Sequence, residues 1–392
     1  MGRWHLSLLV ALLFAACGGG AESTPTPVQS PSTSPTPTAT PEPPTATPVP
    51  PVLLYFVTQG PYGSVIHQIA VDDLASVPEA LPIQLPFAEV ALSPRGGVAA
   101  VAPPGVEPAD ILLVDLVSPF AQQNISQTPE LDETAPFFSA DGEYLAARLA
   151  NADGAFRIRW YTLASGMAAT ADLGDIEPVD LRWLPDGQGF SYVLDGAATV
   201  FAFGSGQRTF NANAGYEARE FAFSPDGERA AVIQVERAPT ATAEPTSATD
   251  PETTPEVPND SPTDQHEPDW RLSVIDEQGL VVATLAPAYS GLSGLRWQFD
   301  GEDLVTFHGT NGEGVTGLWA ISPGRSPVLI YEGRVDDSAW SPGGRYVAVV
   351  ADGGDCNMRT CPRGFLRVVD TLTGEVYRWD SNRVLSRPAW GN

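Results

Sequence analysis

The sequence predicts an all-β protein in which one four-stranded unit is repeated along the chain. Short runs of alternating apolar and polar residues dominate the 392 residues, and no long amphipathic helical pattern is present. A turn of the form aromatic-Ser-Pro-Asp-Gly also recurs between such runs and is clearest at residues 223–227. Pro presets φ at the first corner of this turn, and Asp and Gly tolerate the other corners.

Copies of this turn divide the chain into similar units. Six copies are spaced by about 40 to 46 residues, apart from one interval of about 74, and they begin at Leu92, Phe138, Trp183, Phe223, Trp297 and Trp340. Strands follow each turn in the same order, as at residues 346–350, 366–370 and 376–379. Together with the strand that enters the turn, each unit has four strands, which is the repeat of a β-propeller blade.

The two chain ends decide the expected number of blades. Residues 52–57 match the strand after the turn, with no strand before them, and residues 388–391 match the strand that leads up to the turn. Pairing of these ends would complete one blade, close the ring and remove an exposed sheet edge. We therefore expect a seven-bladed β-propeller over residues 52–392. Six blades is the alternative if the ends do not pair.

Two segments are too poor in apolar residues to fold. Residues 18–51 consist mainly of Pro, Thr, Ser and Ala, and residues 238–268 of Pro, Thr and acidic residues. Neither can bury enough apolar surface to offset its ordering entropy. We expect the first to be an extended tether. The second is expected to be a disordered insert in one blade, because its removal restores a spacing of about 43 residues in the long interval.

Residues 1–17 have the features of an export signal. Arg3 precedes an apolar run that is too short for an ordinary membrane-spanning helix, and Cys17 follows two alanines. The segment resembles a bacterial lipoprotein signal ending in a lipobox, although Phe14 stands where that family usually has Leu. The resemblance implies that Cys17 is lipidated and that the protein is an extracytoplasmic, membrane-anchored lipoprotein of a bacterium. Ordinary cleavage, with Cys17 incidental, is the alternative.

The repeated turn and its four-stranded units resemble the WD-repeat-like propellers of the TolB type, which occur in bacterial envelope proteins. The resemblance covers residues 52–392 and implies the fold, but it says little about function because propellers host many unrelated roles. The chain departs from TolB itself in lacking the extra N-terminal domain and in its lipid anchor. We therefore do not carry over the partner of TolB.

Catalytic and metal-binding signatures are mostly absent from the sequence. There is no G-x-S-x-G motif and no D-x-D-x-D-G calcium loop. Of the four histidines, only His67 and His308 fall in the predicted ring, and two dispersed histidines do not form a metal site. His67 lies inside an alternating strand, which favours a strand-face role. We expect no cofactor, no metal and no catalytic residue.

Three successive blades are expected to have an enlarged loop between their second and third strands, on the face opposite the repeated turns. The first loop contains the insert, the second spans residues 308–314 and the third spans residues 355–363. Binding functions concentrate on such loops. The residues proposed to face a ligand are His308, Asn311, Glu313, Arg359 and Arg363.

The last of these loops contains Cys356 and Cys361. An even pair of cysteines in an exported protein favours a disulfide that closes a small loop. Arg359 and Arg363 would then form a fixed cationic spot able to clamp a carboxylate or an anionic glycan. Simple balance of the neighbouring Asp residues is the alternative.

The function expected from these features is non-catalytic binding or scaffolding of a protein, peptide or glycan by a monomeric envelope protein. The net charge of −27 argues against nucleic acid or anionic membrane as a partner, because an acidic surface repels phosphate, so the membrane is contacted through the lipid alone. The competing hypothesis is a hydrolase or lyase acting on carbohydrate or peptide, with His308 and carboxylates near the central channel. A structural envelope component is a third possibility. The turn aromatics are expected to fill the wedges between blades, and each turn Asp to accept hydrogen bonds from the turn amides.

Overall fold

The computed structural model describes residues 51–60, 62–83, 85–86, 88–103, 109–128, 131–150, 155–175, 177–210, 215–237, 268–276, 278–285, 289–298, 304–351, 364–385 and 387–391. All of them belong to one unit, Pro50–Asn392. Several predictions from the sequence fall outside these ranges: the signal with Cys17, the tether up to residue 50, the insert up to residue 267, and the segment with Cys356, Arg359, Cys361 and Arg363.

Strands make up most of the described chain, in the order expected from the repeats. The chain opens with β1 (Leu53–Gly60), β2 (Gly63–Ala70), a short 3-10 helix (Val71–Asp73) and β3 (Glu79–Ala80). Sheet I contains β4 (Glu89–Leu92), β5 (Val98–Ala102), β6 (Leu112–Asp115) and β7 (Gln122–Asn124). Sheet II contains β8 (Asp132–Phe138), β9 (Tyr144–Ala150), β10 (Arg157–Thr162) and β11 (Met167–Asp172).

The next three sheets repeat this plan. Sheet III contains β12 (Val179–Trp183), β13 (Gly189–Leu194), β14 (Ala197–Ala202) and β15 (Gly206–Phe210). Sheet IV contains β16 (Tyr216–Phe223), β17 (Arg229–Glu236), β18 (Trp270–Asp276) and β19 (Val281–Thr284). Sheet V contains β20 (Tyr289–Trp297), β21 (Val305–Asn311), β22 (Thr316–Ile321) and β23 (Val328–Glu332).

The remaining strands form a composite eight-stranded sheet with β1 to β3. They are β24 (Val335–Trp340), β25 (Tyr346–Ala351), β26 (Gly364–Asp370), β27 (Val376–Val384) and β28 (Ala389–Gly391). The first four make its carboxyl-terminal half, which follows the same plan as sheets I to V. The other half consists of β28, β1, β2 and β3, and the two halves meet through a single pairing of β1 with β27, at Thr58 and Val384.

The predicted pairing of the chain ends is confirmed. Strand β28 pairs antiparallel with β1, placing Trp390 opposite Leu54. Gly391 also lies against sheet I, since a Cβ added at Gly96 would be 2.6 Å from the Gly391 Cα. The sheets therefore follow one another in a closed succession, and the result is an all-β, propeller-like arrangement of four-stranded antiparallel sheets.

Burial differs from strand to strand within each sheet. The second strands are almost fully buried, as in β13 and β17, whereas fourth strands such as β11 and β15 are mostly exposed. Exposed fourth strands lie on the outside, so the first strands lie nearest the centre of the arrangement. The junctions between sheets are therefore formed by the first strands, near the centre of the arrangement.

The repeated turn is held by its own side chains. Asp226 accepts hydrogen bonds from the Ser224 hydroxyl at 2.5 Å and from the Glu228 backbone N–H at 3.0 Å. Asp141 makes the same two contacts in sheet II, with Ser139 and Glu143. The predicted structural role of the turn Asp is confirmed at these two turns.

Three of the turn tryptophans, Trp183, Trp297 and Trp390, join neighbouring sheets, as predicted. The Nε1–H of each donates to the carbonyl one residue before the turn aromatic of the preceding sheet. These hydrogen bonds run from Trp183 to Phe137 at 3.2 Å, from Trp297 to Ala222 at 2.8 Å and from Trp390 to Ala339 at 2.9 Å. A buried indole therefore fills the wedge and also satisfies a backbone carbonyl.

Candidate functional site: a polar cavity between two sheets

A cavity of about 510 Å³ lies at the boundary between sheet V and the carboxyl-terminal half of the composite sheet, and residues of sheets III and IV also line it. We call it the junction cavity, and the boundary between these two units the open junction. Its lining comes from the first strands β12, β16, β20 and β24, from the end of β21 and from the beginning of β22. The charged and ionisable residues that line it are Asp180, Arg182, Glu220, Arg296, His308, Arg334, Asp336 and Asp337.

The cavity interrupts a recurring contact between first strands. Sheets I, III and IV have a carboxylate three residues before the first residue of the repeated turn motif (Leu92, Trp183 or Phe223), and it accepts hydrogen bonds from the backbone of the next sheet. The bonds run from the Ala135 N–H to Glu89, from the Phe221 N–H to Asp180 at 2.9 Å, and from the N–H groups of Gly294 and Leu295 to Glu220 at 2.8 and 2.7 Å. This carboxylate position, as we call it, ties one sheet to the next.

Irregularities in the first strands lie where these contacts form. The pairing of β16 with β17 shifts between Ala218 and Glu220, and that of β12 with β13 between Val179 and Arg182. Asp180 has a φ of 54° at this point. A β-bulge bends the strand and leaves backbone groups unpaired within their own sheet, so their N–H groups can bond to the neighbouring sheet instead.

Arg182 completes the contact between sheets III, IV and V. Its Nε donates to Asp180 at 2.7 Å, its Nη2 donates to Glu220 at 3.2 Å, and its Nη1 donates to the carbonyl of Leu295. Burial raises the pKa of Glu220, and the nearby Asp180 charge raises it further. The polar groups at this junction are well supplied with partners.

Gly294 occupies the carboxylate position in sheet V, and a histidine takes the adjacent space. A Cβ added at Gly294 would lie 2.3 Å from Cε1 and 2.4 Å from Nδ1 of His308. The φ of Gly294 is +66°, in the region that favours glycine. A longer side chain is therefore excluded while the His308 ring is present, and sheet V cannot form the carboxylate bridge to β24.

His308 is a buried, neutral side chain at the cavity wall. It lies on β21 opposite Ser293 and is 7% exposed. Burial lowers its pKa to about 4, and the Asp337 carboxylate opposes this shift while the Arg296 guanidinium adds to it. Its Nε2 is buried and has no hydrogen-bond partner among the described residues. A neutral imidazole with an unsatisfied nitrogen therefore borders the cavity.

Arg296 lies deep in the molecule but keeps 25% of its side-chain surface accessible. Its Nη1 donates to the Leu295 carbonyl at 2.8 Å, and its Nη2 is 3.9 Å from Asp337 Oδ1, beyond hydrogen-bond distance. Nε is buried without a partner among the described residues. Burial, together with the charges of Arg182 and Arg387, lowers the pKa of Arg296 to about 9, so the guanidinium remains charged at neutral pH.

A second cavity of about 510 Å³ lies at the other end of the same junction, beside the turn of β24 and β25. Trp340 lines it, together with Leu304, Val328 and Ile330. Unlike the three bonded tryptophans, Trp340 has a buried Nε1 without a partner in the described part of the chain. The open junction therefore lacks both kinds of bridge that join other sheets.

The residues proposed from the sequence to face a ligand do not all lie at the cavity. His308 borders the cavity, but Asn311 accepts hydrogen bonds from the backbone N–H groups of Glu313 and Val315 at 3.0 and 2.9 Å and so holds a turn. Glu313 is exposed in that turn. Arg359 and Arg363 lie outside the described residues.

The prediction of an enlarged loop at residues 308–314 was wrong. Strand β21 continues to Asn311 and β22 begins at Thr316, so the connection consists of residues 312–315. Pairing of Thr310 with Thr316 carries the ladder to the turn. His308 therefore occupies a rigid strand position, where its ring can be held in one place.

Several cavity residues were missed at the sequence level. Asp180, Glu220 and Asp337 stand three residues before the turn aromatics of sheets III and IV and of the carboxyl-terminal half of the composite sheet. Arg182 and Arg296 stand one residue before the turn aromatics of sheets III and V. This pattern is visible in the sequence when the repeats are aligned over the strand that enters each turn and not over the turn alone. The sequence gives no sign that these residues meet at one junction, because that depends on the order of the sheets in space.

His67 has the strand-face role that was predicted. Its Nε2 is 2.9 Å from the Thr58 hydroxyl, and its ring stacks on Phe56 at 5.0 Å between centroids. In the described part of the chain, no group of three or more His, Cys, Asp or Glu side chains is placed to hold a metal ion. The described residues also form no helix long and apolar enough to cross a membrane.

No protein-family model and no curated protein matches the chain. Among solved structures, a protein from Lactobacillus plantarum is 12% identical, with 87% of this chain and 99% of that chain covered and a TM-score of 0.52. A candidate 6-phosphogluconolactonase from Bacteroides uniformis is 12% identical, with 86% and 98% covered and a TM-score of 0.51. These two similarities, with the sheet topology, support a propeller-type fold.

TolB from Acinetobacter baumannii is also similar. It is 16% identical, with 86% of this chain and 66% of that chain covered and a TM-score of 0.47. At such identities a likeness concerns the fold, and fold does not imply function. The class defined so far is a propeller-type protein with a polar cavity between two of its sheets.

Proposed function

We propose that this chain is a non-catalytic binding or scaffolding propeller of the bacterial envelope, and that part of its partner enters the junction cavity. The observation that carries the proposal is that two residues lining the cavity, His308 and Arg296, each have a buried nitrogen, Nε2 and Nε, without an acceptor among the described residues. Buried polar groups in proteins are rarely left unsatisfied, and exceptions call for an explanation such as a bound ligand. A partner with acceptor groups would supply the hydrogen bonds that the described residues do not.

The proposal includes a seven-bladed ring of the TolB type. Sheets I to V are five blades, and the composite sheet is two blades joined at the pairing of Thr58 with Val384. The pairing of β28 with β1 makes one of these blades from both ends of the chain. Closure of this kind removes exposed sheet edges and so favours a monomer.

The proposed location is extracytoplasmic, with lipidated Cys17 and the Pro/Thr-rich tether holding the propeller near a membrane. The partner is a protein, peptide or glycan, and nucleic acid is disfavoured by the net charge of −27. The disulfide between Cys356 and Cys361, and the cationic role of Arg359 and Arg363, remain predictions. If they hold, they add a second contact region to the same partner.

A catalytic role for His308 is the weaker alternative. A general base works best when its pKa is near the operating pH, and the pKa of His308 is lowered to about 4. A base of that strength removes protons poorly at neutral pH. The arrangement is better suited to donating and accepting hydrogen bonds than to proton transfer.

Site-specific crosslinking on intact cells tests the binding function. A photoreactive residue replaces Thr316, which is exposed and lines the cavity, or Thr170, which is exposed on the outer strand β11 of sheet II. We expect a crosslinked species from position 316 that is absent from position 170 and is lost when Arg296→Gln is added. Equal crosslinking from both positions, or a product unaffected by Arg296→Gln, contradicts the proposal.

Membrane fractionation tests the anchor separately. Cys17→Ser should move the protein from the membrane fraction to the soluble extracytoplasmic fraction, because the lipid is the proposed attachment. Unchanged membrane association would refute lipid anchoring through Cys17 without affecting the proposal for the cavity.

A further inference from the structure

We infer that the junction cavity recognises a carboxylate group, held by the free edge of the Arg296 guanidinium with a further hydrogen bond from His308. The inference rests on the proposed binding function and names the chemistry that the partner must offer. The proposed ligand is the α-carboxylate group, which a free amino acid and a peptide C-terminus both carry.

The geometry of Arg296 is the first argument. Its Nη1 is occupied by the Leu295 carbonyl, which fixes the orientation of the guanidinium plane. The opposite edge, formed by Nε and Nη2, makes no hydrogen bond within the described structure, and the distance from Nη2 to Asp337 is 3.9 Å. Two parallel N–H groups on one edge match the two oxygens of a carboxylate and bind it bidentately.

His308 supplies the second argument. A neutral imidazole carries one N–H and one acceptor nitrogen, and His308 is neutral at pH 7 because burial lowers its pKa to about 4. Its Nε2 is buried and has no partner within the described ranges, and the ring is held against Gly294. As the Nε2–H tautomer it can donate to a ligand oxygen without adding charge to the site.

The electrostatic surroundings favour an anion at Arg296 itself. Burial and the neighbouring charges of Arg182 and Arg387 lower the pKa of Arg296, and the carboxylates of Asp337 and Asp180 do not fully offset them. Arg296 therefore offers a cationic contact to a bound anion, although the cavity wall and the protein as a whole are acidic.

The rest of the wall restricts which anion fits. Four carboxylates line the cavity, from Asp180, Glu220, Asp336 and Asp337, against three arginines. A phosphate dianion would be repelled by this acidic wall, since like charges at close range are unfavourable. A carboxylate carries a single negative charge. An ammonium group on the same molecule would also be attracted to the Asp336 and Asp337 side of the cavity.

Calorimetric titration of the full chain with matched probes tests the inference. The probes are Ala-Ala-Ala, its C-terminal amide, free alanine, inorganic phosphate and glucose. We expect Ala-Ala-Ala or free alanine to bind, and the comparison between them identifies the source of the carboxylate. Because a bidentate charge-assisted contact is lost, the amide should bind about tenfold more weakly than the acid or not measurably.

Variants assign the contact to its residues. Arg296→Lys keeps the charge but loses the fork and should weaken carboxylate binding about tenfold; His308→Gln should weaken it less. Arg378→Gln, on the exposed outer strand β27, is the matched control and should leave affinity unchanged. The NMR signal of the Arg296 Nε–H in the unmodified chain should shift with the acid and not with the amide, so the test does not depend on a variant that folds.

Equal binding of acid and amide, tighter binding of phosphate or glucose, or no binding by any probe would overturn the inference. The crosslinking result from position 316 distinguishes failure of the carboxylate inference from failure of the proposed binding function. If that crosslink is lost with Arg296→Gln while no carboxylate binds, the cavity binds its partner through other chemistry. If the crosslink is also absent, the binding function itself is wrong.

Discussion

Two neighbouring junctions between sheets are built from equivalent first strands. They differ in how many of their buried polar groups have hydrogen-bond partners. Between sheets IV and V, Glu220 accepts two backbone N–H groups and contacts Arg182, and Trp297 donates to the Ala222 carbonyl. At the open junction, Gly294 replaces the carboxylate, and the Nε1 of Trp340 has no partner in the described structure. Cavities of about 510 Å³ border both ends of that junction.

The difference shows how a repeated fold can acquire a site by omission. Sheet V lacks the side chain that would seal its contact to the next sheet, and a buried histidine takes part of the space. The neighbouring Arg296 keeps its charge, but its Nε has no hydrogen-bond partner among the described residues. Nothing in the strand plan has to change, because the site lies between units and not within one.

The largest expected effect is at the filled junction. Glu220→Ala removes the acceptor for two backbone N–H groups and part of the support of Arg182, so we expect the free energy of unfolding to fall by about 3 kcal/mol. Urea unfolding measures it. Glu228→Ala is the control, because Glu228 is exposed in the adjacent turn, and it should change stability by no more than about 0.5 kcal/mol. Similar costs for the two variants would show that Glu220 does not seal the junction.

The next effect concerns the pH dependence at the open junction. The pKa of His308 is lowered to about 4 in the folded protein, against about 6.5 in the unfolded chain. Below pH 6.5 the unfolded chain binds a proton that the folded protein excludes, so stability contributed by neutral His308 is present above pH 6.5 and is lost as pH falls towards 4. The difference approaches about 3 kcal/mol.

Urea unfolding between pH 7 and pH 4 measures this loss against His308→Gln, which lacks the titrating group. The unmodified protein should lose more stability than the variant over this range, by up to about 3 kcal/mol. If the free energies of unfolding of the two proteins fall in parallel with pH, the pKa of His308 is the same in the folded and unfolded states. His308 would then be more hydrated than the structure indicates.

The smallest effect compares two tryptophans directly. Trp297→Phe breaks the hydrogen bond to Ala222 and leaves a buried carbonyl unsatisfied. Trp340→Phe removes an N–H that has no partner in the part of the chain that the structure describes. Both lose similar apolar area, so the difference isolates the hydrogen bond. We expect Trp297→Phe to cost about 1 kcal/mol more, measured by thermal or urea unfolding. Equal costs would remove the distinction between the two junctions.

Much of the fold was predictable because its signals are local. The turn at residues 223–227 and its copies identify where strands meet, and the sequence at residues 388–391 identifies the missing first strand, which pairs with β1 as expected. Ser-Pro-Asp-Gly turns and alternating strands depend on neighbours a few residues away. The enlarged loop predicted at residues 308–314 was wrong, because strand pairing extended across residues that read as a loop.

The candidate site was predictable only in part. His308 stood out as one of two histidines in the ring, but Arg296 and Glu220 resembled ordinary strand residues. The role of each residue depends on which backbone N–H or carbonyl group of the next sheet lies opposite its side chain. Packing between sheets sets this, and the residues in contact are far apart in the chain: Glu220 and Leu295 are more than 70 residues apart.

The amino-acid sequence alone therefore determined the four-stranded repeat, its turns and the pairing of the two chain ends, since each follows from short-range periodicity and turn chemistry. Only the tertiary structure decided that Gly294, Arg296 and His308 meet where one junction is left unsealed. Turn chemistry acts within a few residues, whereas a cavity is defined by the surfaces that surround it, and those surfaces come together only when the sheets are arranged in space.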